Sequence, residues 1–279
     1  MLVLFIGPVL WSIRRARQGS PVEVRRIPGI DAIEMAVGRS VELGRPLAFT
    51  TALTGIGPLF AACLGVMKHV ARKAARFNSK FYVPCGDPES LVLADAAVQS
   101  AYRAERRFSS YDPTSLRYLS GEQFAFASGY IGLVQRENVG AAFIFGSFAA
   151  ESLILAEAGQ RIGAMQVAAT VDSNQVPFFI TMCDYTLIGE ELYAAGAYLS
   201  KDPVLSGSLR GQDIAKCVVF LLLLIGIAQA TWISAYPQQP PVRPAIVGWI
   251  NASWTDLFSY LGVDLKKFSP EPTQLTEEM

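Results

Sequence analysis

Unbroken apolar runs alternate with amphipathic stretches along this chain, and the alternation predicts its elements in order. The runs at 46–53 (PLAFTTAL), 80–85 (KFYVPC), 141–148 (AAFIFGSF), 164–171 (AMQVAATV) and 176–184 (VPFFITMCD) read as five strands. Runs without polar alternation suit a sheet covered on both faces. Apolar positions at helical spacing predict helices over 31–43, 59–77, 89–108, 122–137, 149–159 and 189–199. The turn Thr54-Gly55-Ile56-Gly57-Pro58 joins the first strand to its helix, and Gly86-Asp87-Pro88 does the same for the second. The polar segment 109–121 reads as a loop, long enough for a lid or a crossing over one sheet edge. The short turn DSNQ at 172–175 predicts an antiparallel pairing of the last two strands. The predicted fold class is therefore α/β, a Rossmann-like doubly wound sheet of about five strands with flanking transmembrane helix segments.

One stretch breaks the pattern. Residues 217–236 (CVVFLLLLIGIAQATWISAY) carry no charge, and Gln229 is their one strongly polar side chain. Twenty helical residues reach roughly 30 Å, the thickness of a bilayer's hydrocarbon core. A transmembrane helix is predicted over 214–236, entered through a loop at 200–213. At the other end MLVLFIGPVLWSI runs into Arg14, Arg15 and Arg17, the reverse of a secretory signal's order, so residues 1–19 read as a membrane anchor. Pro8 in its middle and its short reach imply either partial entry into the membrane or a start further upstream. Basic residues flank both apolar segments on the side of the folded body: Arg14, Arg15, Arg17, Arg25 and Arg26, then Lys201, Arg210 and Lys216. The positive-inside rule then places 20–213 in the cytoplasm. Residues 237–279 read as a proline-rich spacer, an amphipathic helix over 246–263 that lies in or spans the lipid interface, and a polar tail.

Composition narrows the function. The 24 basic and 24 acidic side chains balance, so no basic face for nucleic acid is expected. Four cysteines without a CxxC pair argue against a zinc knuckle or a disulfide framework, and a lone His69 beside Lys68 offers no metal cluster. No metal site and no particular cofactor is expected.

Ligands of open α/β sheets bind at the carboxyl ends of the strands, so candidate positions follow each predicted strand. Thr50, Thr51, Thr54, Gly55 and Gly57 follow the first, and Cys85 and Asp87 the second. Ser147 and Glu151 follow the third, and Asp184, Tyr185, Glu190 and Glu191 the last. The G-x-G-P turn lacks the third glycine of a dinucleotide fingerprint and the lysine of a phosphate loop. Its glycines equally serve a tight strand-to-helix turn. Asp184 with Glu190, and Glu151, are candidate catalytic carboxylates for handling a proton or a cation. The competing reading makes Asp184 a turn cap and the glutamates favourable charges at helix starts. Cys85 and Cys183 are expected to close strands, as buried small hydrophobes or as neighbours.

The segments GRPLAF, GSFAAESLILAEAG and CDYTLIGEELYAAGAYLS resemble a family of bacterial membrane-anchored proteins of unknown function, over roughly residues 30–216. The resemblance implies a bacterial source and the same anchored layout, and transfers no activity. The expectation is a binding or scaffold module at the bacterial inner membrane, its main domain cytoplasmic. Its expected partners are the lipid bilayer and a second copy or a membrane protein. The alternative is a membrane-tethered enzyme using the carboxylates at the sheet's carboxyl edge.

Overall fold

The structure is a computed structural model that describes residues 2–18, 28–200 and 203–235. The chain divides into two compact units, Ser12–Arg210 and the combination of Met1–Trp11 with Gly211–Met279. The predicted spacer, amphipathic helix and tail at 237–279, and Arg25 and Arg26, lie outside the described residues.

In the larger unit six strands form one sheet: β1 (Leu47–Thr50), β2 (Phe81–Cys85), β3 (Leu116–Tyr118), β4 (Ala141–Gly146), β5 (Met165–Thr170) and β6 (Tyr185–Ile188). Their order is β3-β2-β1-β4-β5-β6, and every pairing is parallel. The chain starts at the middle of the sheet, winds outward to one edge, and returns to wind outward to the other. Helices α2 (Pro28–Glu42), α3 (Pro58–Phe77), α4 (Pro88–Ala104) and α8 (Glu190–Ser200) bury their apolar faces with Phe49, Phe143, Phe145 and Val167. Helices α5 (Gln123–Arg136), α6 (Glu151–Arg161) and α7 (Val176–Met182) pack with Ala48, Ile144 and Ala168 on the other side. Neighbouring residues of one strand thus enter opposite cores, as the two-residue period of a strand demands. Central strands wetted on neither face read as continuous apolar runs.

Side-chain absence allows a close contact between α3 and α8. A Cβ on Gly196 of α8 would lie 2.9 Å from the carbonyl oxygen of Ala62, and one on Gly65 of α3 would lie 3.2 Å from that of Gly196. Glycines here let two backbones approach within the reach of a methyl group.

Three expectations are corrected. The sheet has six strands, not five: four of the predicted runs form β1, β2, β4 and β5, while β3 lies inside the segment 109–121 that read as a loop and β6 falls at 185–188, outside every predicted element. Strand β3 is a three-residue edge strand with no fully buried residue, too short to show a period. Residues 176–184 are not a strand: 176–182 form α7, with Pro177 in its first turn. A proline's missing N–H costs nothing there, whereas in a sheet it removes a ladder bond. The antiparallel pairing fails for the same reason, since α7 is the crossover that brings β6 alongside β5 in parallel. Asp184 accordingly precedes a strand rather than ending one.

Ser200 closes α8, and helix α9 (Pro203–Ala235) takes up residues 203–213 of the predicted loop at 200–213. It contains a 23-residue segment, Ser206–Ala228, long and apolar enough to cross a membrane, and only 6% of its most apolar window is buried. A core helix of a soluble domain would be covered; here Phe220, Leu221, Leu223, Leu224, Ile225 and Ile227 are all exposed. Helix α1 (Leu2–Arg17) continues through Pro8. In the larger unit a Cβ on Gly207 would lie 2.9 Å from Ile13 Cα, and in the smaller a Cβ on Gly211 would lie 2.5 Å from Val9 Cα. The Gly207-x-x-x-Gly211 spacing therefore serves close backbone packing of α1 on α9.

Candidate functional site: a cleft at the carboxyl ends of the first three strands

In an open sheet of this winding the crevice between β1 and β4 is the ordinary place for a ligand. Here the chain's own polar groups close it. Thr54, in the loop after β1, accepts a hydrogen bond at Oγ1 from the Ser147 N–H (3.0 Å), just past the end of β4. Gly146 makes room for it: its φ is +149°, and a Cβ there would stand 2.2 Å from Thr54 Oγ1. Ser147 Oγ in turn donates to Asp172 Oδ2 (2.6 Å) beyond β5, and Ser152 Oγ to Gln175 Oε1 (2.5 Å). Asp172 was read from sequence only as part of a turn.

The open space lies beside this, over β1, β2 and β3. A cleft of about 750 Å³ is lined by Leu53, Gly55 and Ile56 after β1, by Gly86 to Glu89 after β2, and by Tyr118 with Gly121 to Phe124 after β3. That volume suits a small organic molecule.

Its floor follows from a break in the sheet. Pro84 has no N–H to give β1, and the Thr50 hydroxyl donates to the Pro84 carbonyl (2.9 Å) while accepting from the Ala52 N–H (3.0 Å). Ala52 then takes a left-handed backbone, φ +47°, although it is fully buried. Such a conformation costs an alanine about 1 kcal/mol, held here by the surrounding bonds. The turn brings the Ala52 carbonyl to the Gly86 N–H (2.9 Å), and a Cβ on Gly86 would lie 2.7 Å from Leu53. On the far side the Leu119 N–H bonds the Cys85 carbonyl (3.0 Å), which sets the Tyr118-to-Phe124 wall against β2.

Of the candidate ligand-binding residues Thr54, Gly55, Gly57, Cys85 and Asp87, Gly55 and Asp87 line the cleft. Gly57 stands just behind, as the residue preceding α3, with no side chain capping that helix. Thr54 is spent on Ser147. Cys85 is fully buried, and burial pushes its thiol up to about 12, so it is no thiolate nucleophile at neutral pH. Asp87 caps α4 through the Ser90 N–H (2.9 Å) and Ser90 Oγ (2.6 Å), and these bonds hold its carboxyl below the usual range.

The three candidate catalytic carboxylates are not brought together. Asp184 accepts from the Gln166 N–H (2.7 Å) near the start of β5, which puts it on the amino edge of the sheet, opposite the cleft. Glu190 begins α8 after β6, and its neighbour Glu191 accepts from the Ile188 N–H (3.2 Å) as a local cap. Glu151 is 1% exposed in the first turn of α6, and its Oε2 has no hydrogen bond among the described residues. Cys85 and Cys183 lie at opposite ends of the sheet and belong to opposite cores. His69 of α3 is 3.4 Å from Glu34 of α2, a packing contact away from the cleft. Among the described residues no three metal-binding side chains gather.

Tyr118, Glu122 and Phe124 were missed from sequence. The rule that found Gly55 and Asp87, to look just past each strand, finds them too once Leu116–Tyr118 is known to be a strand.

An open cleft on a six-stranded parallel α/β sheet, together with one exposed apolar helix, defines the class: an α/β domain carrying a candidate membrane segment. The chain belongs to a family described as a domain of unknown function (DUF6754), matched over residues 1–239. No curated protein and no solved structure gives a match.

Proposed function

We propose that this protein is a membrane-tethered binding module whose cleft over β1, β2 and β3 takes a small molecule. The observation that carries the reading is the cleft itself, built at the edge of the sheet where α/β folds bind ligands and left open while its neighbour is closed. The strand order is that of a Rossmann-like sheet, which favours the doubly wound description. Binding is favoured over catalysis because none of the candidate catalytic carboxylates Asp184, Glu190 and Glu151 lines the cleft, and Asp184 lies on the opposite edge of the sheet.

The location we propose is a bacterial inner membrane, with the sheet on the cytoplasmic side. Helix α9 is 33 residues long, roughly 50 Å, so it exceeds the hydrocarbon layer. Its first turns carry exposed Arg210, Asp213 and Lys216, and its exposed leucines and isoleucines follow. Charges at that depth are costly, which favours a span that begins after Lys216. The basic residues before it, and Arg14 and Arg15 of α1, support the cytoplasmic side. Self-association, or a membrane protein as partner, belongs to the same reading.

The test is native mass spectrometry of the full chain extracted in mild detergent, compared with Gly121→Trp. Gly121 stands in the cleft wall at a backbone conformation open to any residue, 3.6 Å from the Tyr118 hydroxyl at its nearest side-chain neighbour. An indole there fills the cleft. The expected result is a small molecule retained by the parent and lost from the variant; equal retention by both sinks the reading.

A further inference from the structure

The ligand's chemical class is legible in the lining. Resting on the binding reading above, we infer that the cleft takes an organic ammonium ion with an apolar body, and excludes phosphorylated ligands. Three carboxylates line it, those of Asp87, Glu89 and Glu122, and among the described residues no lysine, arginine or histidine does. Among the described residues none of the three enters an ion pair, whereas Glu34, Glu105, Glu137 and Glu157 all do, and only Asp87 is bonded, to Ser90 of its own helix start. Glu122 immediately precedes α5 yet forms no side-chain bond to the helix start. Its carboxylate is thus spent neither on a cation nor on its own helix. An exposed carboxylate alone says nothing; here Asp87 is taken up by its bonds to Ser90, and Glu89 and Glu122, without an ion-pair partner among the described residues, add two further negative charges around the same cavity and set its field.

The apolar part of the lining complements that field. Tyr118 and Phe124 are 49% and 64% exposed, and Ile56 is 57% exposed, all three at the cleft. Large apolar side chains left to water around a concave site mark a binding surface. Aromatic rings beside carboxylates are the combination that holds alkylammonium groups, the ring quadrupole and the formal charges acting in the same direction. A phosphate meets the opposite situation. The uncapped start of α3 behind Gly57 would favour an anion, with a partial charge of about half a proton, but three full negative charges share the space. The glycines of the first turn then serve the close packing of loop on strand, not a diphosphate.

The experiment is isothermal titration calorimetry on the full chain in an uncharged detergent. Three probes are compared: phenethylammonium chloride, its uncharged analogue 2-phenylethanol, and ATP. Saturable binding of phenethylammonium at least tenfold tighter than phenylethanol, with no heat from ATP, is the expected result. Glu89→Gln/Glu122→Gln should weaken the ammonium probe tenfold or more and leave the thermal midpoint near the parent's, since both side chains are exposed. Phe124→Ala should weaken both aromatic probes together. Equal affinity for the charged and uncharged probes, binding of ATP, or indifference to the double substitution overturns the inference. Those outcomes leave the binding module standing if Gly121→Trp still loses its co-purified molecule; if that variant loses nothing, the binding module falls as well.

Discussion

The two halves of the sheet are built from the same unit, strand followed by turn followed by helix, yet their carboxyl ends are finished in opposite ways. Beyond β4 and β5 the polar groups bond one another: the Ser147 N–H donates to the Thr54 hydroxyl oxygen, the Ser147 hydroxyl to the Asp172 carboxylate, and the Ser152 hydroxyl to the Gln175 amide oxygen. Beyond β1, β2 and β3 the backbone is pinned by Gly86 and Leu119 while the side chains of Glu89, Glu122 and Phe124 stay outside any such network. Polar groups already satisfied inside the chain have little left to offer a ligand, because an exchange of partners gains almost nothing. The half whose carboxylates at Glu89 and Glu122 face water, not partners in the chain, is the half able to serve a ligand.

The strongest way to break this contrast is to place one methyl group in each half. In Gly146→Ala the new Cβ falls at 2.2 Å from Thr54 Oγ1 on a backbone of φ +149°, a region that side chains avoid. The loop must shift, and a loss of about 3 kcal/mol is expected from the combined strain and clash. Gly121→Ala meets nothing nearer than 3.6 Å, so a change within about 0.5 kcal/mol is expected. Urea midpoints of the full chain in detergent measure both. Similar losses at the two positions would mean that the closed half is no more tightly built than the open one.

Glu151 is the exception inside the closed half, and it sharpens the comparison. Glu151 is 1% exposed and its Oε2 has no partner among the described residues, so part of its solvation is given up without return from them. The start of α6 offsets some of this through the helix dipole, by up to about 1 kcal/mol. Glu151→Met keeps the volume and removes the oxygens. We expect a gain of about 1 kcal/mol in the same urea experiment and unchanged binding of the phenethylammonium probe. A loss of stability would show that the oxygens are solvated after all, and a loss of binding would extend the site across to β4.

How far the sequence carries depends on burial. Strands β1, β2, β4 and β5 are buried at every position, and their apolar runs announced them. The edges announced themselves poorly: β3 has no fully buried residue, and Leu187 is the one buried residue of β6. A half-wet strand of three or four residues has no period to read. The run at 176–182 misled because Val176, Phe178, Phe179 and Ile180 favour strands by composition, while Pro177 was the warning that they begin a helix. These errors moved the site. With β3 read as a loop, the wall bearing Tyr118 and Phe124 was invisible; with Asp184 placed at a strand's end, a residue of the amino edge joined a site on the carboxyl edge. Gly55 and Asp87 were found because the strands before them were.

The smallest effect concerns α3, which begins behind the cleft, and asks whether the open half is rigid through its helix layer. His69 is mostly buried between α2 and α3, with Glu34 at 3.4 Å, and Lys73 bonds the same carboxylate at 3.2 Å. Burial first, and then the Lys73 cation, push the imidazole below its ordinary value; Glu34 opposes them and Arg72 adds to them. The native state therefore takes up its proton at lower pH than the unfolded chain. Stability is fully present above the ordinary imidazole value of about 6.5 and declines as the pH falls from there through the depressed native value. Glu34 adds a second decline at more acid pH. Its partial burial pushes the carboxyl up, but Lys73 and His69 outweigh this and hold it lower, so its contribution is lost only below the usual carboxylate range. In His69→Gln the upper part of the decline should vanish and the lower part remain. Urea midpoints at pH 7.5 and 5.5 separate the two, and an equal drop in parent and variant would mean that the imidazole titrates as freely as in the unfolded chain, leaving the layer behind the cleft loosely packed.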